Sequence, residues 1–452
     1  MRVNSYILFI ISSSTFLFLN VSSFVALPRN HCNQAFISAE ERNYVKRLLV
    51  TSSSETDDAI QINPLVANVK ISKTVEVFSL VKEMEAAGDK VTSLCVGEPD
   101  FPPPQAVLDA IVRAVQDGKT RYTGVTGTVE LRRAISADLE KRKGVFYPPE
   151  NIVVGNGAKQ CVYQGVLATC GPGDEVIIPA PYWPSYPEMV ALAGATPVIV
   201  NTRKEDGYLL TAEALRGALT DKTRLLIFCN PSNPTGGVHS KERLDELSSV
   251  LQDFQKVVIL ADEIYERLVY EGTCEAVASL PEMYNRTMTV NGFSKSHAMT
   301  GMRLGYLAAP TKLSKACTTI QSQLTSCAGS ISQAAGVAAL TEVSEEEMIG
   351  NVDIMREKRD FVLSELNKMP NVSLECKPSG AFYVLPDVSA YYDGDDARLC
   401  IDLLKEKKLA LVPGSSFGSP GTIRISYATS MEELEVAMNK LKEFLEAQIT
   451  NE

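Results

Sequence analysis

A lysine amine can condense with an aldehyde to an imine, provided a tight turn holds it free of bulky neighbours. Lys295 sits in such a turn, Gly292-Phe293-Ser294-Lys295-Ser296-His297-Ala298-Met299-Thr300-Gly301-Met302-Arg303-Leu304-Gly305, directly after the apolar run Thr287 to Val290. Eight positions beyond the lysine stands Arg303, beside glycines. A guanidinium fork grips a phosphate through two parallel bonds. A single lysine in a loop is usually a solvated surface residue. Fourteen correlated positions instead ask for one ligand carrying both an aldehyde and a phosphate.

Pyridoxal phosphate carries both groups. Other residues suit the same ligand. Asp262 closes the run Val257-Val258-Ile259-Leu260-Ala261, so its carboxylate is expected in low dielectric, where a charge needs a partner; a helix N-cap is the competing reading. Tyr265 follows three residues later. Asn233 precedes Pro234, a pairing that turn chemistry alone explains. Trp183 is the only tryptophan, and core packing is the usual fate of a lone aromatic. Gly155-Asn156-Gly157 is a partial glycine-rich loop and weak evidence for a dinucleotide; Ala158 and Lys159 follow it at a helix start. Arg424 lies in Thr422-Ile423-Arg424-Ile425-Ser426, where an exposed edge-strand arginine is the plain alternative.

Short apolar runs must position these groups. Strands are expected at residues 152–154, 175–178, 197–200, 224–228, 257–260, 288–290 and 303–307, with helices over 159–169 and 241–253. Nearly continuous apolar strands between helices predict an α/β fold with a mostly parallel sheet buried on both faces. Ligands collect at the strand ends of such sheets, where Asn233, Asp262, Tyr265 and Lys295 fall. Beyond Thr311 the pattern turns helical, with short strands near 382–385, 409–412 and 422–426 and a final amphipathic helix over 431–447.

The chain resembles the class I aminotransferases of the aspartate aminotransferase fold. Every fixed position of that family's lysine pattern is met by Gly292 to Gly305. The likeness runs from about Ile71 through Ser72-Lys73-Thr74, Gly97-Glu98-Pro99-Asp100-Phe101, Asn156-Gly157-Ala158-Lys159-Gln160, Pro181-Tyr182-Trp183, Asn233-Pro234-Thr235-Gly236, Asp262-Glu263-Ile264-Tyr265, Gly380-Ala381-Phe382-Tyr383 and Arg424-Ile425-Ser426-Tyr427. It implies a pyridoxal-phosphate enzyme of two domains. Residues 106–357 would form the large cofactor-binding domain, and segments 59–105 and 358–452 a smaller α+β domain closing over the site. By the same resemblance Lys295 is the catalytic lysine, Asp262 partners the pyridine nitrogen, and Tyr265 and Asn233 serve the phenolic oxygen. Trp183 stacks on the ring, and Ala158, Lys159 and Arg303 hold the phosphate together with Tyr122 of a neighbouring subunit in a homodimer. Arg424 receives the substrate's α-carboxylate, and Gly97 lets backbone approach the same substrate.

Substrate choice rests on fewer residues. The pattern is closest to prokaryotic-type and plant-plastid aspartate aminotransferases, several of which also aminate prephenate. Thr74 and Lys159 match groups those dual enzymes use, and Lys70 a lysine of bacterial relatives; Trp183 and Asn233 also face substrate. The resemblance thus implies exchange between aspartate or glutamate and 2-oxo acids, with prephenate as a further acceptor. An aromatic- or alanine-type enzyme is the alternative, and a non-catalytic regulator sensing the cofactor is a third reading for which no DNA-binding segment is evident. Two departures stand out: Met302 replaces a tryptophan, and Ser296-His297 replaces Ala-Phe. His297 is read as space-filling.

Of 452 residues, 45% are hydrophobic and 22% charged, ordinary for a soluble enzyme. A net charge of -11 argues against nucleic-acid or anionic-membrane partners. Ten cysteines without CxxC pairs, and three histidines without metal-like spacing, point to free thiols, Cys95, Cys161 and Cys229 among them, and to no metal. The N-terminus differs from the body. Arg2, the apolar stretch Tyr6 to Leu19 and Val21-Ser22-Ser23 read as a signal peptide over 1–23. Phe24-Val25-Ala26-Leu27-Pro28 then resembles the phenylalanine-led junction of bipartite plastid presequences, with residues 24–58 transit-like despite Glu40, Glu41, Asp57 and Asp58. The expected address is a plastid, with secretion as the alternative; only in a secreted protein could the sequons at Asn285 and Asn371 be glycosylated.

Overall fold

A computed structural model describes residues 6–12, 15–20, 61–67, 69 and 73–449, with side chains at 61–67, 69 and from 76 onward. Lys70 and the whole transit-like segment 24–58 lie outside the described residues, as does the Thr74 side chain. The chain divides into two units, Met1–Asn63 and Pro64–Glu452. In the first, β1 (Tyr6–Ser12) and β2 (Thr15–Asn20) pair antiparallel.

The second unit opens with the helices Pro64–Ala67 and Lys73–Ala86 and a two-residue strand, β3 (Thr92–Ser93), and then builds a seven-stranded sheet. Its strands are β4 (Ile152–Gly155), β5 (Glu175–Ala180), β6 (Thr196–Asn201), β7 (Thr223–Cys229), β8 (Val258–Asp262), β9 (Thr287–Gly292) and β10 (Gly305–Ala308), in the order β4-β10-β9-β8-β7-β5-β6. Only β10 runs against its neighbours. Alternate residues serve opposite faces. Leu225, Ile227 and Leu260 pack with Cys161, Val162 and Val166 of the helix Ala158–Thr169. Leu226, Phe228, Ile259 and Ala261 pack with Leu244, Leu247 and Leu251 of the helix Lys241–Gln252. Burial on both faces explains the unbroken apolar runs in the sequence.

Arg303 is not part of a strand. It takes a left-handed backbone (φ 51) two residues before β10, so the chain reverses there and the guanidinium leaves the sheet end.

A second set of short strands lies elsewhere in this unit. β11 (Tyr383–Val384), β13 (Val412–Pro413) and β14 (Ile423–Ser426) form an antiparallel sheet, and β12 (Leu409–Ala410) pairs parallel with β3. The amide of Ser426 donates to the Leu94 carbonyl at 3.0 Å. These bonds bring residues 92–97 beside β14, a pairing of distant segments that hydrophobic pattern alone did not reveal.

Candidate active site

β8 ends on Asp262, which is 5% exposed. Tyr186 donates its hydroxyl to Asp262 Oδ2 at 2.6 Å, and the Ile264 amide approaches Oδ1 at 3.4 Å. Burial pushes the carboxyl above its ordinary range; those donors and the charge on Lys295 oppose the shift only in part. Among the described residues no cation is bonded to this carboxylate. Tyr186 went unremarked in the sequence, although it stands one turn past Trp183 and meets that indole edge-on at 5.2 Å.

Lys295 follows β9 in a turn closed by His297 and Met299 amides on the Phe293 carbonyl. Its Nζ donates to the Gly97 carbonyl at 2.5 Å. Burial lowers the amine to about 8, with Glu98 and Asp262 pulling up and Arg424 and Arg303 pulling down. Those four charges acting on one amine identify the residues that surround it.

Arg424 on β14 is 3% exposed. Nη2 donates to the Cys95 carbonyl at 2.6 Å and Nη1 to Asn233 Oδ1 at 3.3 Å, leaving the Asn233 NH2 free to donate. The guanidinium lies 4.5 Å from the Tyr383 ring and 4.8 Å from that of Phe417. Nε has no partner, and among the described residues Arg424 pairs with no carboxylate. Tyr265 is buried and shares a 3.0 Å bond with the Tyr383 hydroxyl. A side chain at position 97 would overlap that hydroxyl, which is why Gly97 must be glycine here. Tyr383 and Phe417 were also missed as site residues; an aromatic beside a strand carries no signal of what stacks on it.

The helix Ala158–Thr169 starts from Gly157 (φ 90) with no side-chain cap, so its first N–H groups are open to an anion. Arg303 stands there too: a Cβ on Gly157 would overlap its guanidinium. Lys159, exposed, holds its ammonium 4.7 Å from the Trp183 ring. The structure brings Lys295, Asp262, Asn233, Tyr265, Gly97, Arg424, Ala158 and Arg303 near one another. Tyr122 is 90% exposed in the single chain and bonds to none of them.

The departures prove structural. His297 is buried, bonded to Ser296 Oγ at 2.8 Å and packed on Phe293, and burial pushes it down to about 3, so it is neutral. Met302 packs against the cluster around Phe293 and Tyr306. The nine described cysteines are unpaired; Cys95 and Cys161 are buried and Cys229 partly so.

The sequence pattern of the aminotransferase class I and II family matches residues 89–441. The chain belongs to that family. It is 46% identical to an aspartate aminotransferase of Pinus pinaster over 417 residues, covering 88% of this chain and 84% of the relative. It is 45% identical to a bifunctional aspartate aminotransferase and glutamate/aspartate-prephenate aminotransferase of Petunia hybrida, covering 88% and 85%. Among solved structures it is similar to the aspartate aminotransferase of Thermus thermophilus with maleate, at a TM-score of 0.82 and 37% identity, over 85% of this chain and 100% of the other.

Aminotransferases of this type use pyridoxal phosphate, and the residues present fit it. An uncapped helix start beside Arg303 suits the phosphate. A buried carboxylate to which no cation is bonded among the described residues suits a protonated ring nitrogen. The buried Lys295 amine suits the aldehyde.

Proposed function

We propose that this protein transfers amino groups between aspartate or glutamate and the 2-oxo acids oxaloacetate and 2-oxoglutarate, and also aminates prephenate to arogenate. Arg424 carries the reading. A buried guanidinium with an idle Nε needs an anion, and every one of these substrates has an α-carboxylate to offer it in fork geometry.

When bound, pyridoxal phosphate supplies an aldehyde and an electron-withdrawing ring. The chain's own residues do the rest. Arg424 orients the substrate by its carboxylate, so that the α-carbon faces Lys295. An amine lowered to about 8 is partly free base near neutral pH, so Lys295 Nζ can take the proton from the α-carbon and would deliver it to the cofactor's side rather than back to that carbon. Asp262 would hold the ring nitrogen's proton, while Tyr265 and the Asn233 NH2 would donate to the phenolic oxygen. Trp183 would cover the ring, and Ala158, Lys159 and Arg303 would hold the phosphate.

Dicarboxylate preference is assigned to Lys159, an exposed ammonium at the rim, with Thr74 and Lys70 as further contributors. The names borne by the pine and petunia relatives support this substrate range. The working form is proposed to be a homodimer in which Tyr122, exposed here, reaches the phosphate of the partner subunit. Segments 59–105 and 358–452 are proposed to move as a smaller domain over residues 106–357. Residues 1–23 and 24–58 are proposed to direct the enzyme to a plastid. A fluorescent fusion to residues 1–58 checks that address; export from the cell would refute it.

A panel of oxo acids, offered to the purified chain with aspartate and glutamate as donors, tests the activity. Turnover of oxaloacetate, 2-oxoglutarate and prephenate is expected. No turnover of prephenate would cut the reading back to the aspartate reaction.

A further inference from the structure

The segment Gly380-Ala381-Phe382-Tyr383 belongs to the family likeness, yet no role in the reaction has so far been given to its tyrosine. Tyr383 is 1% exposed and touches both walls of the site. Its ring lies 4.5 Å from the Arg424 guanidinium, and its hydroxyl is 3.0 Å from that of Tyr265. Counting protons is decisive. The two hydroxyls carry two protons but share one bond, and among the described residues neither has another hydrogen-bond partner. One proton is therefore left over for a ligand. If Tyr265 donates to Tyr383, the spare proton lies on the far hydroxyl. If Tyr383 donates, Tyr265 keeps its own proton for an oxygen beside Lys295. Accepting one hydrogen bond also makes a hydroxyl a better donor of the next.

We propose that Tyr383 is a positioning residue: it donates to Tyr265, which frees and strengthens the Tyr265 proton for the cofactor's phenolic oxygen, while its ring face supports Arg424. The inference rests on the transaminase reading above. It links the grip on the substrate carboxylate to the group that sets charge on the ring oxygen. Gly97 is part of the device, because any side chain there would displace the Tyr383 hydroxyl.

The test is the pH titration of the visible absorbance of the cofactor-loaded protein, measured for wild type, Y383F, Y265F and the double variant. Y383F keeps the ring and removes only the hydroxyl. A weaker donor at the phenolic oxygen favours the protonated chromophore, so the midpoint should rise by about half a pH unit. In the Y265F background the same change should have no further effect. An unchanged midpoint in Y383F, or an equal shift in both backgrounds, overturns the proposal. KM for amino acids should stay within about twofold in Y383F and rise several-fold in Y383L, which loses the ring under Arg424. Equal KM in wild type and folded Y383L would remove the second half of the role. If wild type lacked any visible band that K295A abolishes, the transaminase reading itself would fall, an outcome distinct from a normal band that ignores Y383F.

Discussion

Among the described residues, a carboxylate at the end of β8 is buried without a bonded cation, and on β14, across the cleft, a guanidinium is buried without a carboxylate. The Asp262 wall is built from long strands of a sheet covered on both faces. The Arg424 wall is built from strands of two to four residues held by a few main-chain bonds. Each wall alone is electrostatically incomplete, and the deficits have opposite sign. A ligand pair offering a protonated ring nitrogen to one and a carboxylate to the other satisfies both. The site is organised for charge complementarity before any ligand arrives, which is where much enzymatic stabilisation originates.

Breaking each wall separately should give different kinetic signatures. Between the walls, K295A removes the base and the attachment point, and activity should fall about ten-thousandfold with loss of the cofactor absorbance band. D262N leaves the fold of β8 but not the charge. It should lower kcat on the order of 10²–10³-fold while KM changes little, as steady-state kinetics would report. R424K keeps the charge and loses the fork, so KM should rise about a hundredfold for every amino acid and oxo acid with a smaller change in kcat. If D262N and R424K gave the same pattern, the division of labour between the walls would be wrong.

K159A sharpens the comparison at the rim. Catalytic efficiency with dicarboxylates should drop about tenfold more than with alanine, because one exposed charge contact is lost. Equal losses would remove Lys159 from substrate choice. The mildest effect concerns pH. Lys295 is lowered from 10.5 to about 8, so its reactive free-base fraction rises through that range. The rate at which apoenzyme takes up pyridoxal phosphate should therefore climb with pH and level off above about 9. A climb continuing beyond 10 would mean a solvated amine.

The same contrast explains what was legible in the sequence. Asp262 and Lys295 follow unbroken apolar runs that declare buried strands, so their positions could be read from pattern and turn chemistry. Arg424 lies on a short strand indistinguishable by pattern from an exposed edge, and only the family likeness assigned it. Strand ends were off by one or two residues, most consequentially at Arg303, where a left-handed turn replaces the expected strand. Tyr186, Tyr383 and Phe417 could not be read at all, because their roles arise from tertiary neighbours 76, 118 and seven residues away. Gly97 and Gly157 were visible as glycines, but the side chains filling the space they leave were not.

Since β10 runs against β9, the connection Phe293–Leu304 leaves the sheet and returns to it at adjacent positions. Lys295 and Arg303, the two groups proposed to grip opposite ends of the cofactor, both hang from this single arch. Its contour is therefore a ruler. Changes of side chain such as His297 and Met302 leave the span intact, whereas adding or deleting one residue between the grips would alter the distance they measure and spoil both at once.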